Sequence, residues 1–188
     1  LEEAIESLEW AIAYKHNFAE AHNNLGNVFN DFGKVKEAVK CYEKAVKYNP
    51  NYAKAFFNLA IAYKDLGNVN AYQECIEKTV ALKPDWGDAH LHLSRIKNYK
   101  VNDPHIMEML SIIEKTDLSL IDRIGFNFAL AHTYESLENF SEQFKFLNEA
   151  NRLRKKESQY SFDTDKSRFQ KIKTLFNKTP LPLNKLVS

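Results

Sequence analysis

Residues 19–50 read A-E-A-H-N-N-L-G-N-V-F-N-D-F-G-K-V-K-E-A-V-K-C-Y-E-K-A-V-K-Y-N-P, and their pattern returns 34 residues later. Ala21, Leu25, Phe29, Gly33 and Pro50 recur as Ala55, Leu59, Tyr63, Gly67 and Pro84. A fixed period in which small, apolar and turn positions recur together marks a stacked-repeat architecture. Inside one period, Ala55, Leu59 and Tyr63 fall on one face of a helix. Gly67 supplies the left-handed residue that ends it. Tyr72, Ile76 and Thr79 form a second stripe, and Pro84 stops the second helix. Asn17, Asn51 and Asp85 read as helix caps, each followed by an aromatic, Phe18, Tyr52 or Trp86, that packs on the first turn. Small residues at Ala21, Gly26, Ala38 and Ala45 let helices approach closely. One helix pair cannot bury its own apolar face, so stacked pairs share a continuous core.

This pattern resembles the tetratricopeptide repeat. The resemblance implies an all-α, right-handed solenoid of antiparallel helix pairs that holds a partner. Residues 1–16 read as the second helix of a partial repeat, followed by repeats at 17–50, 51–84, 85–118 and 121–156. The third repeat is degenerate but in register. Ala89 and Leu93 match Ala55 and Leu59, Lys97 replaces the aromatic, and Val101 replaces the turn glycine. Asn102-Asp103-Pro104 restarts a helix carrying Ile106, Leu110 and Ile113. Ser119 to Asp122 reads as a capping box. In the fourth repeat, 129–140 echoes 58–69, and Phe144, Leu147 and Ala150 are expected to point inward. Residues 157–178 should form a C-terminal helix, with Phe169, Ile172, Leu175 and Phe176 covering the end of the stack. Residues 179–188 read as an extended linker.

The chain has 188 residues, and its net charge of +1 gives no general attraction to nucleic acid or to a membrane surface. No apolar run is long enough to span a bilayer. Cys41 and Cys75 are one period apart, so they sit too far from each other to bridge and are expected reduced and packed, with a cytoplasmic location. The apolar stripe Leu1, Ile5, Leu8 and Ile12 should lack part of its partner helix. The chain begins Leu-Glu-Glu, so either more chain precedes it or another molecule covers that stripe, for example a second copy.

The candidate binding surface is a stripe on the first helix of each repeat. It comprises Glu20, Asn24, Asn27 and Asp31; then Lys54, Asn58, Ile61 and Asp65; then Asp88, His92, Arg95 and Tyr99. In tetratricopeptide proteins this stripe lines the concave groove. Asn24, Asn58 and His92 form a column, and an amide both donates to and accepts from a peptide backbone. The column resembles, on two rungs, the asparagine ladder in the repeats of the O-linked N-acetylglucosamine transferase. The competing reading is a solvated helix face. The carboxylate clamp of chaperone-binding repeats needs basic groups where Asn23, Asp88 and His92 stand, so acidic chaperone tails are not the expected ligand.

From residue 87 to about 178 a second resemblance emerges. H-L-H-L-S-R-I-K-N-Y, N-D-P-H-I, F-A-L-A-H-T-Y-E-S-L and E-A-N-R-L-R-K-K, then Tyr160, resemble the N-terminal region of bacterial sulfotransferases that carry tetratricopeptide repeats. This resemblance implies a docking or substrate-positioning module ahead of a catalytic domain. That domain would open with a glycine-rich loop for the phosphosulfate donor, and the glycines at 26, 33, 67, 87 and 125 all lie in the repeat region. No serine-nucleophile motif or carboxylate–histidine pair at catalytic spacing is present, so the chain is not expected to be an enzyme, to carry a cofactor or to bind a metal. His90 and His92 lie on different helix faces, and His22 and His90 match the packing position of Phe56. The basic run Arg152, Arg154, Lys155 and Lys156 complements the end of its own helix.

Overall fold

The computed structural model describes residues 2–158 and 162–178, with the side chains of Ala4, 162–164 and 176–178 left aside. The expectations for Leu1, for the Phe176 side chain and for the linker at 179–188 lie outside these residues. The described residues form helices joined by turns: α1 (Glu2–Tyr14), α2 (Ala19–Asp31), α3 (Val35–Tyr48), α4 (Ala53–Asp65), α5 (Val69–Leu82), α6 (Gly87–Ser94), α7 (Pro104–Ile113), α8 (Leu120–Ser136), α9 (Phe140–Glu157) and α10 (Phe162–Lys178). Helices α2 and α3, α4 and α5, and α8 and α9 pack as pairs; α3 stacks on α4, and α6, which packs on α8 more than on α7, bridges α5 to α8. This is the all-α helix-pair solenoid that the period implies.

The small residues do the work expected of them. Ala38, Ala45 and Ala55 are wholly buried, and Ala21 nearly so. Tyr72, Ile76 and Thr79 are buried on α5. Cys41 and Cys75 are buried free thiols, and burial pushes both thiol pKa values up. Gly33 and Gly67 adopt φ of +69° and +73° with open space where a Cβ would stand.

The later repeats make the same turn without glycine. Glu138, which corresponds to Gly67, has φ of 55°, and in the third repeat Asn102 takes φ of 65°, one position after Val101. A left-handed L-residue costs roughly 1–2 kcal/mol, partly offset by the greater chain entropy that glycine loses on folding. Glu138→Gly is therefore expected to stabilise the fold by about 1 kcal/mol, and Gly67→Ala to destabilise it by about as much. Urea midpoints of the two variants measure both signs.

The caps divide into two groups. Ser119 is the N-cap of α8: it accepts from the Asp122 amide at 3.1 Å and donates to the Asp122 carboxylate at 2.5 Å, which is one half of the expected box, since the carboxylate binds the Ser119 hydroxyl and not its backbone amide. Asp103 accepts from the His105 amide at 3.0 Å, ahead of Pro104 in the first turn of α7. Asn17, Asn51 and Asp85, however, are not the caps. The cap positions of α2, α4 and α6 fall on Phe18, Tyr52 and Trp86, without a side-chain cap bond. Asn51 instead donates its amide to the Asn49 side chain at 3.1 Å. At α6 the role passes to another repeat: the Asp122 carboxylate accepts from the Gly87 amide at 3.0 Å.

The core divides at α6. Ala89 and Leu93 close a buried cluster that runs back through Ile76, Leu59 and Tyr42. Tyr99, Ile106, Met109, Phe126, Leu130 and Phe146 form a second cluster. Helix α6 is short, stops at Ser94, and sits chiefly on α8.

Two inward expectations fail. Phe144 is 65% exposed, while Phe146, Ala150 and Leu153 are buried at i, i+4 and i+7. Helix α10 forms, but Phe169 is 72% and Ile172 51% exposed, so that face does not seal the stack as expected. At the other end, Ile5, Leu8 and Ile12 are half-buried, and the large exposed side chains of α1 are Trp10 and Tyr14. The described part of the stripe is thus partly covered, as expected for a face that lacks part of its partner helix.

Candidate functional site

Helices α2 and α4, the first helices of successive repeats, touch each other. Between them lies a hollow of about 370 Å³ lined by Asn27, Asn30, Asp31, Tyr42, Asn58 and Ile61. Four of these, Asn27, Asp31, Asn58 and Ile61, belong to the stripe read from the sequence. Asn30 and Tyr42 do not. Tyr42, one period before Ile76, is buried, yet its hydroxyl emerges at the hollow and donates to the Asn27 side-chain oxygen at 2.9 Å. Burial, with the Asp31 carboxylate adding to it, raises the Tyr42 pKa, so this hydroxyl stays a donor at neutral pH.

The amides of the hollow are fixed by one another. The Asn58 NH2 donates to Asn23 at 2.9 Å and to Asn27 at 3.0 Å. Asn23 is fully buried and extends toward Asn24 through a long contact of 3.4 Å. Both donors of Asn58 are thereby committed, and the Asn27 oxygen accepts twice. The network leaves the Asn27 NH2 as a donor and the Asn58 oxygen as an acceptor. Asn23 could have been found from sequence by its neighbourhood, since it precedes Asn24 and faces the next repeat one helical turn from Asn27.

The other stripe residues are placed as follows. Glu20, Asn24, Lys54, Asp65, Asp88 and Arg95 are exposed on α2, α4 or α6 and its C-terminal edge, outside the hollow. His92 is half-buried. Its Nδ1 and the Tyr72 hydroxyl share a hydrogen bond at 2.7 Å, and its ring stands edge-on to Phe57. Burial holds the His92 pKa below the usual histidine value against the opposing pull of Asp88.

Tyr99 is a correction. It lies beyond the end of α6, is 9% exposed, and is stacked on His105 in the second core cluster. The helix that would have carried it along the stripe ends five residues earlier. Lys97 is drawn to Asp103 at 2.8 Å, and the Tyr99 hydroxyl bonds His105 Nδ1 at 2.8 Å.

His22 and His90 are buried, as their match to a packing position implies. Among the described residues no group of three or more histidine, cysteine or carboxylate side chains could hold a metal ion. Arg152 is bound to Glu149 through two 2.7 Å contacts, and Arg154 lies 5.0 Å over the Phe128 ring, so half of the basic run already has local partners. Among the described residues no helix is long and apolar enough to cross a membrane.

Comparison with known proteins agrees with the fold. A model of the TPR repeat matches residues 1–30 and 26–67, and a second tetratricopeptide-repeat model matches 53–85 and 124–157. Together the matched spans take in well over half of the chain and flank the third repeat. No curated protein matches the chain in sequence. Among solved structures, MamA superposes with a TM-score of 0.58 at 20% identity, covering 83% of this chain and 90% of that one. A MamA fragment, 41-end, from Desulfovibrio magneticus RS-1 gives 0.57 at 19% identity, covering 85% and 88%. YrrB, described as a TPR protein with an unusual peptide-binding site, gives 0.50 at 17% identity, covering 79% and 93%. At these identities the likeness is one of fold. Repeat matches and helix-pair stacking together make this chain a member of the tetratricopeptide-repeat family.

Proposed function

We propose that the chain is a non-catalytic scaffold that holds an extended segment of a partner protein along the stripe from α2 to α6, gripping it at the hollow between α2 and α4. The observation that carries this reading is the fixed amide pair at the hollow. Asn27 offers a donor and Asn58 an acceptor, and both are held in place by Asn23 and Tyr42. An extended peptide presents a carbonyl and an N–H that match such a pair, and side chains already immobilised lose little entropy on binding. Glu20, Asn24, Lys54, Asp65, Asp88, His92 and Arg95 then bear on the side chains of the ligand. That YrrB, of the same fold, has a peptide-binding site supports the class of ligand. The alternative, docking or substrate positioning for a sulfotransferase domain, rests on the sequence resemblance of residues 87–178 and on no feature of the hollow.

The test uses peptides selected from a random library on the full chain and measured by fluorescence anisotropy. Asn27→Ala and Asn58→Ala are each expected to weaken binding about tenfold or more, the size of a lost hydrogen bond with a partner left unsatisfied. Asn24→Ala, outside the hollow, is expected to change it less than threefold. Unchanged affinity in both hollow variants, with unchanged circular dichroism, overturns the reading.

A further inference from the structure

The outer face of α1 carries an aromatic where the complete repeats carry lysine. Trp10 corresponds, at one and two periods, to Lys44 and Lys78, which are both solvent-exposed on α3 and α5. Those lysines are exposed with a whole repeat around them. A first helix packed on α1 as α2 packs on α3 would therefore leave the position of Trp10 on the outer face. Trp10 is 76% and Tyr14 94% exposed, and a shallow hollow of about 260 Å³ beside them is lined by Glu6, Glu9, Trp10 and Ala13. An indole held in water at a position that elsewhere keeps a charge marks a contact surface.

Helix α10 has the complementary character. Phe169 and Ile172 form an exposed apolar ridge, flanked on the helix surface by Lys166 and Lys173 on one side and Arg168 on the other. Helix α1 contains four glutamates and no basic residue, whereas α10 contains five basic residues against two aspartates. The acidic aromatic face belongs to the first helix of the stack, and the basic apolar face to the helix that follows α9, the last helix of the stack, in the chain. Four layers of packed helices separate α1 from α9, roughly 40 Å at the usual spacing. The four residues between α9 and α10, plus the turns leading to Phe169, reach at most about 25 Å. The two faces of one molecule cannot meet.

We propose that α10 of one copy docks on the outer face of α1 of a second copy, so that the solenoids join end to end. Trp10 packs against Phe169 and Ile172, and Glu6 and Glu9 face Lys166 and Lys173. The two surfaces differ, so the contact is heterologous and does not close on itself; it builds chains whose length grows with concentration. A single helix-on-helix contact is small, which places the association in the transient class, and its charge pairs make it weaken with salt. This surface is separate from the α2–α4 hollow and stands whether or not that hollow binds peptide.

The experiment is sedimentation velocity of the full chain over about 10–300 µM, the range in which a small interface associates, with variants at both faces. The average mass of the wild type is expected to rise with concentration and to fall back when salt is raised. Trp10→Lys and Phe169→Lys, both at exposed positions, are each expected to stay monomeric. Mixed together they are expected to restore association, stopping at a 1:1 pair, because each retains the face the other has lost. A wild type that is monomeric throughout overturns the proposal. So does association that survives either substitution, or a mixture that stays monomeric, which would mean a symmetric contact or a different partner for Trp10.

Discussion

Gly125→Ala will dismantle the C-terminal half of the solenoid. Helices α6 and α8 cross at Gly87 and Gly125, backbone against backbone. A methyl group built on Gly125 stands 2.5 Å from the Gly87 carbonyl carbon and 2.9 Å from the Asp88 nitrogen. One built on Gly87 collides with the carbonyl of Asp122. Neither obstacle is the end of a flexible side chain, so the helices must separate. Separation breaks the bond from the Gly87 amide to Asp122 and opens the packing of His90 on Phe126, whose rings are 4.5 Å apart. Overpacking of this kind costs about 3 kcal/mol or more, a large share of the stability of a domain this size. Contacts in a solenoid run between neighbours, so the loss should not spread evenly. Amide exchange is expected to rise throughout α6–α9 and to change little in α2 and α3. The contrast is Gly26→Ala, where the obstacle is the Tyr42 ring at 2.5 Å. A ring can swing aside. That variant should fold, at a cost of about 1–2 kcal/mol, with the bond from Tyr42 to Asn27 weakened. Equal melting of Gly125→Ala and wild type in urea would remove α6–α8 as a close crossing.

The crossing also shows which parts of this molecule could be read in the chain. Recurrence fixed the helix pairs, and the left-handed turns at Gly33 and Gly67 followed from it. What recurrence cannot supply is a contact made because a repeat is imperfect. Val101 lacks the freedom of glycine, and the left-handed residue is Asn102; α6 stops at Ser94, and Tyr99 beyond it falls inward rather than along the stripe. Asp85 looks like a cap by period, but the α6 amide is taken by Asp122, 35 residues away, a pairing no local pattern contains. The echo of 58–69 in 129–140 places Phe146, Leu147 and Ala150 opposite Cys75, Ile76 and Thr79, which are buried, and Phe144 opposite the half-exposed Gln73. At the candidate site Asn27, Asp31, Asn58 and Ile61 of the stripe come together at one hollow, because helical phase sets them on one face. Asn30 and Tyr42 were missed for opposite reasons. Asn30 lies beside the stripe, and Tyr42 is a core residue whose ring is buried while its hydroxyl is not idle.

The fold should be lost on mild acidification, and the cause lies in the irregular third repeat. His90 Nε2 bonds the Pro84 carbonyl at 2.8 Å and so must carry its proton there. Its Nδ1 is then an acceptor and receives the His105 Nε2 proton at 2.8 Å. His105 Nδ1 in turn accepts from the Tyr99 hydroxyl at 2.8 Å. Every proton in this buried line is assigned only if both rings are neutral. A further proton on either ring would set N–H against N–H, or leave a charge in the core. Burial accordingly lowers the pKa of His90 and of His105 to about 4, with the partner ring and Lys97 adding to the effect at His105 and Asp85 opposing it at His90. In the unfolded chain each titrates near 6.5. Between these values the unfolded state binds more protons, so stability is full above about pH 7 and falls as pH drops. The loss is about 2 kcal/mol per ring by pH 5 and about 3 by pH 4. Urea titrations at pH 7, 6 and 5 are expected to show this decline first in near-ultraviolet signals from α6–α9. Replacing the line as a whole, His90→Leu with His105→Leu and Tyr99→Phe, removes every proton donor and acceptor except the Pro84 carbonyl. That variant is expected to lose most of its dependence on pH between 4 and 6.5, whatever its stability at neutral pH. If it declines with the same slope as the wild type, the acid sensitivity belongs to other groups, and the histidines are packing alone.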